Sequence, residues 1–316
     1  MIDVSVVIVS YNTRDVTVEC VRSVFEKTTG CTFEVIVVDN ASSDGSAEAI
    51  AAACPEAIVI ANTDNKGFAG ANNDGLAIAK GRYLLLLNPD TLVNEGSIRD
   101  VLEYCESNPD AGIVGCRCFN VDGSQQSTIF RYKRFSEVVI NVFVPNKWMR
   151  KSRRLGRSRY IGADLDQTLD VEVVAGCYMM VRRECYERVG GMDDRFFMYA
   201  EEVDWCYRIH QAGWRIVYFP GASILHYGGL SAAKCESEMN LAMAKSNLLL
   251  IQKIMGQPLA WISNALMVIR DTPRVLVYAI VRWTMKSDAP LRVSLAKATS
   301  RWMFHLSRLF TLDYAR

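Results

Sequence analysis

Leu84-Leu85-Leu86-Leu87-Asn88-Pro89-Asp90 is the most informative stretch of this sequence. A run of four leucines is typical of a strand buried on both faces, as in the middle of a parallel sheet covered by helices. Pro89 has no N–H to offer a neighbouring strand and therefore ends the run. Asp90 is predicted to lie just past the carboxyl end of a central strand, where open α/β sheets bind their ligands. Its carboxylate can hold a divalent cation that binds a diphosphate. Taken alone, Asn-Pro-Asp is more typical of a simple turn, and the rest of the chain favours the cation.

Strands and helices alternate around this stretch. Apolar runs predict strands at residues 4–9, 33–38, 57–61 and 84–87, with helices at 15–25, 47–53 and 71–79 between them. This alternation predicts an α/β fold with a right-handed, mostly parallel sheet and flanking helices. Residues 171–181 are predicted to form a further strand with Ala175-Gly176 in its middle, and glycine inside a strand often marks the close approach of a ligand.

The charge of the chain is distributed unevenly along its 316 residues. The formal net charge is +1, but residues 1–130 carry 8 Lys/Arg and 18 Asp/Glu, whereas residues 240–316 carry 11 Lys/Arg and 3 Asp/Glu. This asymmetry indicates that the C-terminal end faces an anionic surface or ligand. Half of the residues are apolar, which is enough for a sizeable core.

The cysteines do not suggest a disulfide framework. Ten cysteines are scattered along the chain without a Cys-x-x-Cys pair, and most lie among apolar residues, as small buried side chains do in a reducing compartment. Met1-Ile2-Asp3 leads directly into a predicted strand without a basic segment, so no secretory signal is expected.

Two more polar loops follow predicted strands. Asp39 ends the second strand, where its carboxylate can accept hydrogen bonds from a nucleoside or cap the next helix, and the residues alone do not decide between these roles. The segment from Asn65 to Asn73 places a helix N-terminus beside Lys66 and two glycines, which suits an anion. It lacks the spacing of a P-loop, so an ordinary loop and cap is the alternative.

The densest group of acids follows an aromatic run, Phe196-Phe197-Met198-Tyr199. Glu201, Glu202 and Asp204 come next, and on a helix Glu201 and Asp204 share a face while Glu202 points elsewhere. A partly buried carboxylate here is a plausible general base. The alternative is an acidic helix N-terminus in which Asp204 pairs with Arg208 at i, i+4.

His226 ends an apolar strand and enters a glycine-rich loop, His226-Tyr227-Gly228-Gly229, much as Asp90 ends its own strand. A single histidine is more often structural than a ligand, but His226 is the best-placed candidate for a second metal ligand. His210 and His305 are interpreted as surface or packing residues on helices.

Basic and amphipathic segments complete the chain. Residues 131–159 hold ten basic side chains and one acid, which predicts either a solvated loop or a lid that faces phosphates. Nucleic-acid binding is disfavoured because aromatic residues are sparse and no known reader motif appears. The apolar runs 259–269 and 275–283 are shorter than the roughly 20 residues of a membrane span. They therefore predict interfacial helices or, equally, a helical subdomain packed on the rest of the chain or in a dimer.

Seven short motifs together resemble the inverting nucleotide-sugar glycosyltransferases of family 2, which have the GT-A fold. The resemblance covers about residues 3–255 and is strongest to bacterial rhamnosyltransferases and galactofuranosyltransferases of cell-wall and O-antigen assembly. The motifs are Val9-Ser10-Tyr11-Asn12, Val38 to Gly45, Asn65 to Ala69, Leu87 to Thr91, Ala175-Gly176-Cys177, Phe196 to Asp204 and His226 to Ser231.

The resemblance implies a role for each motif. Metal ligands would be Asp90, in the place of the family's Asp-x-Asp motif with Asn88 as its first residue, and His226. Glu202 would be the catalytic base because it stands where most relatives have an aspartate, with Asp204 as its rival. The remaining positions predicted to bind the nucleotide sugar are Ser10, Tyr11, Asn12, Asp39, Asn40, Asn65, Gly67, Phe68, Asn73, Asn88 and Gly176.

The implied organisation is a GT-A domain at 1–238, with a nucleotide-sugar half at about 1–120 and an acceptor half at 121–238, followed by an amphipathic helical region at 239–316. The implied reaction moves a sugar, with L-rhamnose from dTDP-rhamnose as the first choice and galactofuranose or another hexose as the alternative, to a lipid-linked saccharide with Mn²⁺ or Mg²⁺. The enzyme would be cytoplasmic and peripheral on the inner face of the membrane, with a homodimer as one option for its assembly. Two other interpretations are a nucleotidyltransferase, which would need a glycine-rich basic loop after the first strand, and an inactive scaffold of the same fold.

Overall fold

The computed structural model describes residues 1–144, 160–228, 236–284 and 289–309. They divide into two compact units. The described part of the first comprises residues 1–132, 162–197 and 201–228, and that of the second comprises residues 133–144, 160–161, 198–200, 236–284 and 289–309. The predicted basic segment around Lys147–Arg154 and the loop residues Gly229–Ser231 lie outside the described residues.

The first unit contains the predicted alternation of strands and helices. Its strands are β1 (Val4–Ser10), β2 (Phe33–Asp39), β3 (Ile58–Ala61) and β4 (Tyr83–Leu87), and its helices are α1 (Arg14–Lys27), α2 (Ser46–Ala53), α3 (Gly67–Ile78) and α4 (Ser97–Ser107). These four strands pair in parallel in the order β3-β2-β1-β4. Every residue of β1 and β4 is buried, which confirms that the leucine run is a central strand covered on both faces.

Beyond β4 the sheet is mixed rather than mostly parallel, which corrects the prediction for this half. The added strands are β5 (Thr91–Val93), β6 (Ala111–Phe119), β8 (Leu169–Asp170), β10 (Tyr178–Arg182) and β11 (Arg215–His226). Strand β10 runs antiparallel to both β4 and β6, and β11 runs parallel to β6 but antiparallel to β5. Helices α6 (Arg183–Val189) and α7 (Glu201–Gln211) belong to the same unit.

The strand predicted at residues 171–181 is interrupted. Val173–Val174 form β9, which pairs with β7 (Ile129–Phe130) in a separate two-stranded sheet, and β10 begins only at Tyr178. Ala175, Gly176 and Cys177 therefore lie in a break between two sheets. The prediction of one strand was wrong because burial and β-propensity are the same on both sides of the break.

The second unit is helical in its described part. It contains α5 (Phe135–Phe143), α8 (Glu236–Met255), α9 (Gln257–Thr284) and α10 (Ala289–Ser307). The two apolar runs predicted as separate helices form the single 28-residue helix α9, which continues through Pro273. Val138, Leu248, Ile251 and Ala260 form its small apolar core. Among the described helices, none has a segment apolar and long enough to cross a bilayer.

Candidate active site

Asp90 and His226 meet at the carboxyl end of the central strands. Asp90 follows β4 by three residues, and β11 brings His226 opposite Thr91 of β5. The backbone N–H of Tyr227 donates to the Asp90 carbonyl oxygen at 2.9 Å. Asp90 Oδ1 lies 3.1 Å from His226 Nε2, with the aspartate buried and the histidine mostly buried.

Gln126 determines which nitrogen of His226 carries the proton. Gln126 Nε2 donates to the Asn120 side-chain oxygen at 2.6 Å and to the His226 carbonyl oxygen at 2.8 Å. Gln126 Oε1 is then the acceptor that faces His226 Nδ1 at 2.9 Å, so Nδ1 carries a hydrogen. The Asn88 amide lies 3.3 Å from Nε2 and can donate to its lone pair. Sequence reasoning missed Gln126, because it lies after a hairpin turn outside any of the motifs.

This arrangement is suited to a cation. The carboxylate of Asp90 and the lone pair on His226 Nε2 are both acceptors, and at 3.1 Å they need a proton or a metal ion between them. Burial lowers the pKa of His226, but the hydrogen bond and negative charge of Asp90 outweigh burial and raise that pKa above its ordinary value. A divalent metal placed between the two would substitute for the proton, and a ligating imidazole whose other nitrogen is hydrogen-bonded is the usual form of such a site.

The predicted nucleoside loops lie at the same edge of the sheet. Ser10 at the end of β1 is paired with Asp39 at the end of β2. Asp39 is buried; its Oδ2 accepts from the Ser42 N–H at 3.0 Å, whereas its Oδ1 has no hydrogen-bond partner among the described residues. A buried acceptor without a hydrogen bond lowers the stability of the fold unless a ligand N–H or O–H donates to it. The carboxylate therefore both caps the loop and offers one oxygen to a ligand.

The turn after β1 is held against the loop after β2. The Ser10 hydroxyl points into α1, where it contacts the hydroxyls of Thr13 and Thr17 at 3.3 and 3.2 Å. Tyr11 is half-buried. Asn12 has a left-handed backbone (φ 54°), and its side-chain oxygen accepts from the Ser43 N–H at 2.8 Å.

Asn40 organises the loop that leads into α3. Its amide nitrogen donates to Asn65 Oδ1 at 2.8 Å and to the Gly67 carbonyl at 3.2 Å. Lys66, interpreted from the sequence as part of an anion site, forms an ion pair with Asp74 at 2.9 Å. Asn73 exchanges two hydrogen bonds with the backbone of Met192, at 2.8 and 2.9 Å. Lys66 therefore holds the loop against α3, and Asn73 holds α3 against the segment that follows α6.

Phe68, Gly176 and Glu202 lie together. A Cβ atom placed on Gly176 would lie 3.4 Å from Phe68 Cε1 and 4.0 Å from Glu202 Cβ. The residue after Gly176, Cys177, accepts a backbone hydrogen bond from Asn88 at 3.2 Å. The break between β9 and β10 therefore lies next to three segments: the loop of Phe68, the Asn88-Pro89-Asp90 turn and the N-terminus of α7.

The acids of α7 divide into buried and accessible groups. Asp204 is fully buried and accepts from Arg208 Nε at 2.8 Å. The same guanidinium donates to the carbonyls of Val189 and Gly191 at 2.8 and 2.6 Å. Glu201 is also buried, and Glu202 is partly exposed. Asp204 therefore stabilises the fold around α7, and Glu202 is the acid of this helix that solvent or a ligand can reach.

Backbone strain concentrates near the predicted site residues. Five described non-glycine residues have positive φ, and four of them are Asn12 (54°), Ala41 (64°), Tyr199 (69°) and Ala200 (73°). The last two immediately precede Glu201. Such conformations cost about 1–3 kcal/mol each and cluster at functional sites, where the surrounding structure holds them in place.

Comparisons with known proteins point to one family. A family model described as glycosyl transferase family 2 matches residues 5–190. The N-acetylglucosaminyl-diphospho-decaprenol L-rhamnosyltransferase of Mycobacterium tuberculosis is 29% identical over 221 residues, which are 63% of this chain and 68% of that protein. The rhamnosyltransferase WbbL of Escherichia coli K12 is 27% identical over 168 residues, 51% of this chain and 61% of that protein.

Solved structures share the fold at lower identity. The mannosyltransferase PcManGT from Pyrobaculum calidifontis, in complex with GDP-Man and Mn²⁺, has a TM-score of 0.56 at 16% identity over 99% of this chain and 84% of that one. TarS 1–349 of S. aureus has a TM-score of 0.53 at 14% identity over 97% and 91% of the two chains. At these identities the similarity is evidence for the fold alone, a mixed α/β sheet with flanking helices.

Proposed function

The chain belongs to glycosyl transferase family 2, as the resemblance of its motifs implied, and on this premise we propose that it transfers a sugar from a nucleotide diphosphate to a hydroxyl of a lipid-linked saccharide, with inversion at the anomeric carbon. The observation that carries the proposal is the pair Asp90–His226, two acceptors 3.1 Å apart at the edge where Asp39 keeps an unused buried oxygen. L-rhamnose from dTDP-rhamnose is the proposed donor sugar, because two relatives of the chain are rhamnosyltransferases. Galactofuranose or another hexose is the alternative.

Binding of the nucleotide sugar is assigned to the carboxyl edge of the sheet. Asp39 Oδ1 accepts a hydrogen bond from the base or ribose, and the loops at Ser10–Asn12 and Asn65–Phe68 surround the nucleotide. Asp90 and His226 would hold Mn²⁺ or Mg²⁺, and the bound ion would neutralise the charge of the departing diphosphate. The Asn88 amide lies 3.3 Å from His226 Nε2, beside the proposed ion.

Glu202 is assigned the proton transfer. Its carboxylate removes the proton from the acceptor hydroxyl while that oxygen attacks the anomeric carbon on the face opposite the diphosphate. The new C–O bond forms as the bond to the diphosphate oxygen breaks, which inverts the configuration in one displacement. Gly176 supports this assignment, because the absence of a side chain there leaves room between Phe68 and Glu202.

A lipid-linked acceptor accounts for the character of the C-terminal segment. Residues 240–316 carry an excess of eight positive charges, and Ile262, Ile269 and Leu276 of α9 are exposed. We assign this helical unit to the inner face of a membrane, where anionic headgroups attract basic residues and exposed apolar side chains enter the interface. Catalysis would then take place in the cytoplasm beside its membrane-bound acceptor.

The test is binding and hydrolysis across a panel of nucleotide sugars: dTDP-rhamnose, UDP-galactofuranose, UDP-glucose and GDP-mannose, each with Mn²⁺, Mg²⁺ or EDTA. We expect one donor to bind in a metal-dependent manner, and Asp90→Ala to weaken that binding by more than about 10-fold. Asp110→Ala is the matched control, because Asp110 precedes β6 at the opposite edge of the sheet and pairs with Arg215. Folded protein that binds none of the donors would refute the transferase and favour an inactive scaffold.

A further inference from the structure

Two thiols lie directly beside the proposed metal-ligating histidine. Cys118, Cys177 and His226 each offer one ligand atom, and these three atoms lie within 4.8 Å of one another. Within the part of the chain that the structure describes, no other three His, Cys, Asp or Glu side chains bring ligand atoms so close. Both cysteines are buried and free, and their side chains contact each other.

The topology of the sheet creates this cluster. Strand β6 lies between β10 and β11. Cys118 near the end of β6 is paired with Ile224, two residues before His226, and Cys177 immediately precedes β10 on the other side. Neighbouring strands are about 5 Å apart, so both partners reach Cys118 from adjacent strands. Segments far apart in the sequence thus bring together a set of side chains that no local motif shows.

The chemistry of this set differs from that of the Asp90–His226 pair. Mg²⁺ and Mn²⁺ prefer oxygen ligands, whereas thiolates with an imidazole select Zn²⁺ and similar soft ions. Two cysteines and one histidine are three of the four ligands of common zinc sites, and the fourth position is filled by water or substrate in open sites. In such sites the ligand atoms surround the ion at about 2.0–2.3 Å, so atoms already within 4.8 Å of one another need only a small movement.

We propose that Cys118, Cys177 and His226 form a binding site for a thiophilic divalent cation of the zinc class, and that an ion bound there withdraws His226 from Asp90. The step is a ligand exchange without oxidation or reduction. Two S–H bonds lose their protons to solvent, three water molecules leave the hydrated ion, and two metal–sulfur bonds and one metal–nitrogen bond form. Binding of the zinc-class ion depends on these three side chains alone. The consequence of that binding, inhibition of sugar transfer, rests on the proposed function.

The direct test uses Co²⁺ as the spectroscopic substitute for Zn²⁺. The full chain, stripped with a chelator, is titrated with Co²⁺ alone under reducing conditions. We expect one equivalent to produce a near-ultraviolet thiolate-to-cobalt charge-transfer band and intense visible bands of four-coordinate geometry, and Zn²⁺ to abolish both. Weak visible bands of octahedral Co²⁺ without charge transfer would overturn the proposal, and this outcome requires no variant.

Variants locate the ion. Cys118→Ala and Cys177→Ala should each lose the charge-transfer band and bind Co²⁺ at least about 10-fold more weakly, since even the loss of an outer partner costs that much. Cys185→Ala is the matched control, because Cys185 is equally buried but lies on α6. Asp90→Asn should keep the band. If Asp90→Asn abolishes it, or if both cysteine variants retain it, the ion is bound elsewhere and the proposal fails.

Inhibition is measured separately. With the donor identified in the panel and Mg²⁺ in excess, we expect low Zn²⁺ to suppress transfer in the wild type, and Cys118→Ala to be less sensitive. A thiolate band without inhibition would refute the withdrawal of His226 but leave the ion site. Absence of donor binding together with a normal thiolate band would refute the proposed function and not the metal site.

Discussion

Glu202 and Asp204 are two residues apart on α7 but have opposite environments. Asp204 is fully buried against Arg208, whereas Glu202 is partly exposed beside Gly176. We expect Glu202→Gln to lower kcat by about 10²- to 10⁴-fold, the usual contribution of a general base, with little change in donor binding. Steady-state kinetics and calorimetric titration of the donor measure the two effects.

Asp204→Asn is the informative comparison for Glu202. Removing one charge of a fully buried pair costs about 3–5 kcal/mol, and this value is an upper bound here because the Arg208 side chain is 25% exposed. We therefore expect Asp204→Asn to lower the free energy of unfolding, measured in urea, while Glu202→Gln leaves it nearly unchanged. A stable Asp204→Asn enzyme with the larger loss of kcat would reverse the assignment.

Gln126 would act on the proposed metal ion through His226. Because it accepts from Nδ1 and donates to the histidine carbonyl, Gln126→Ala should release the ring and weaken Mn²⁺ binding by about 10- to 100-fold. Electron paramagnetic resonance of free Mn²⁺ measures this affinity. Gln125→Ala is the control, because Gln125 donates to the Tyr218 hydroxyl instead. Equal Mn²⁺ affinity in the two variants would exclude a positioning role for Gln126.

Single residues at strand ends could be predicted from the sequence, but their partners could not. Asp90 and His226 each follow an apolar run that reads clearly as a strand, so their placement at the sheet edge was predictable. Gln126 and Cys118 have no such signal. Their importance comes from the pairing of β6 with β11, and a pairing between segments about 100 residues apart leaves no trace in local periodicity.

At the scale of elements, the loop into α3 depends on Gly67. Its φ is +73°, and a Cβ atom there would lie 2.1 Å from the Phe197 carbonyl oxygen. Gly45 has a similar φ of +76°, but a Cβ atom there would meet nothing within 4 Å. We expect Gly45→Ala to cost about 1–2 kcal/mol for the left-handed conformation alone, and Gly67→Ala to cost clearly more. Urea unfolding curves measure the loss of stability in each variant. Equal losses would contradict the close approach of Gly67 to the Phe197 carbonyl oxygen.

Helix boundaries illustrate where sequence patterns mislead. Helix α3 begins at Gly67, four residues before the predicted start, because Asn65 Oδ1 accepts from the Gly67 N–H at 2.9 Å and so supports the first turn. Helix α9 continues through Pro273, although proline usually ends a helix. Contacts with α10 hold the preceding turn: Asp271 pairs with Arg301 at 2.6 Å, and the Trp302 indole donates to Thr272 at 2.9 Å. Such tertiary contacts override local propensity.

His305 makes the helical unit sensitive to acid. It is buried, and its Nδ1 donates to Asn264 Oδ1 at 2.7 Å. Burial lowers the pKa of His305 from 6.5 to about 4. A histidine with a lowered pKa is neutral in the folded state, so its contribution to stability is complete above pH 6.5 and is lost as the pH falls through about 4.

The predicted loss reaches about 3 kcal/mol at low pH. Urea unfolding of the wild type and of His305→Gln at pH 7, 5.5 and 4.5 measures this loss of stability, because the glutamine at position 305 does not titrate. We expect the stability difference between the two proteins to shrink as the pH falls. A difference that stays constant across this range would show that His305 does not titrate on unfolding.

At the scale of the whole molecule, charge and exposed apolar surface occur in the same C-terminal segment. Residues 240–316 hold 11 basic and 3 acidic side chains. On α9, Ile262, Ile269 and Leu276 recur every seven residues and are 40%, 59% and 58% exposed. A seven-residue spacing drifts by only about 20° per step around a helix, so the three form one apolar stripe.

This combination predicts binding to anionic membranes. Vesicles with anionic lipid should cosediment with the full chain, and vesicles of zwitterionic lipid should do so far less, because each basic residue near an anionic surface contributes about 1 kcal/mol. The variant Ile269→Glu with Leu276→Glu should weaken binding by at least about 10-fold, since it places two charges on the face that enters the interface. Val121→Glu is the matched control, because Val121 is equally exposed but lies in a hairpin of the first unit. The membrane assignment fails if the wild type binds neither kind of vesicle and sediments as a dimer while the double variant sediments as a monomer. In that case the stripe is an interface between two copies of the chain, and the acceptor must reach the site by another route.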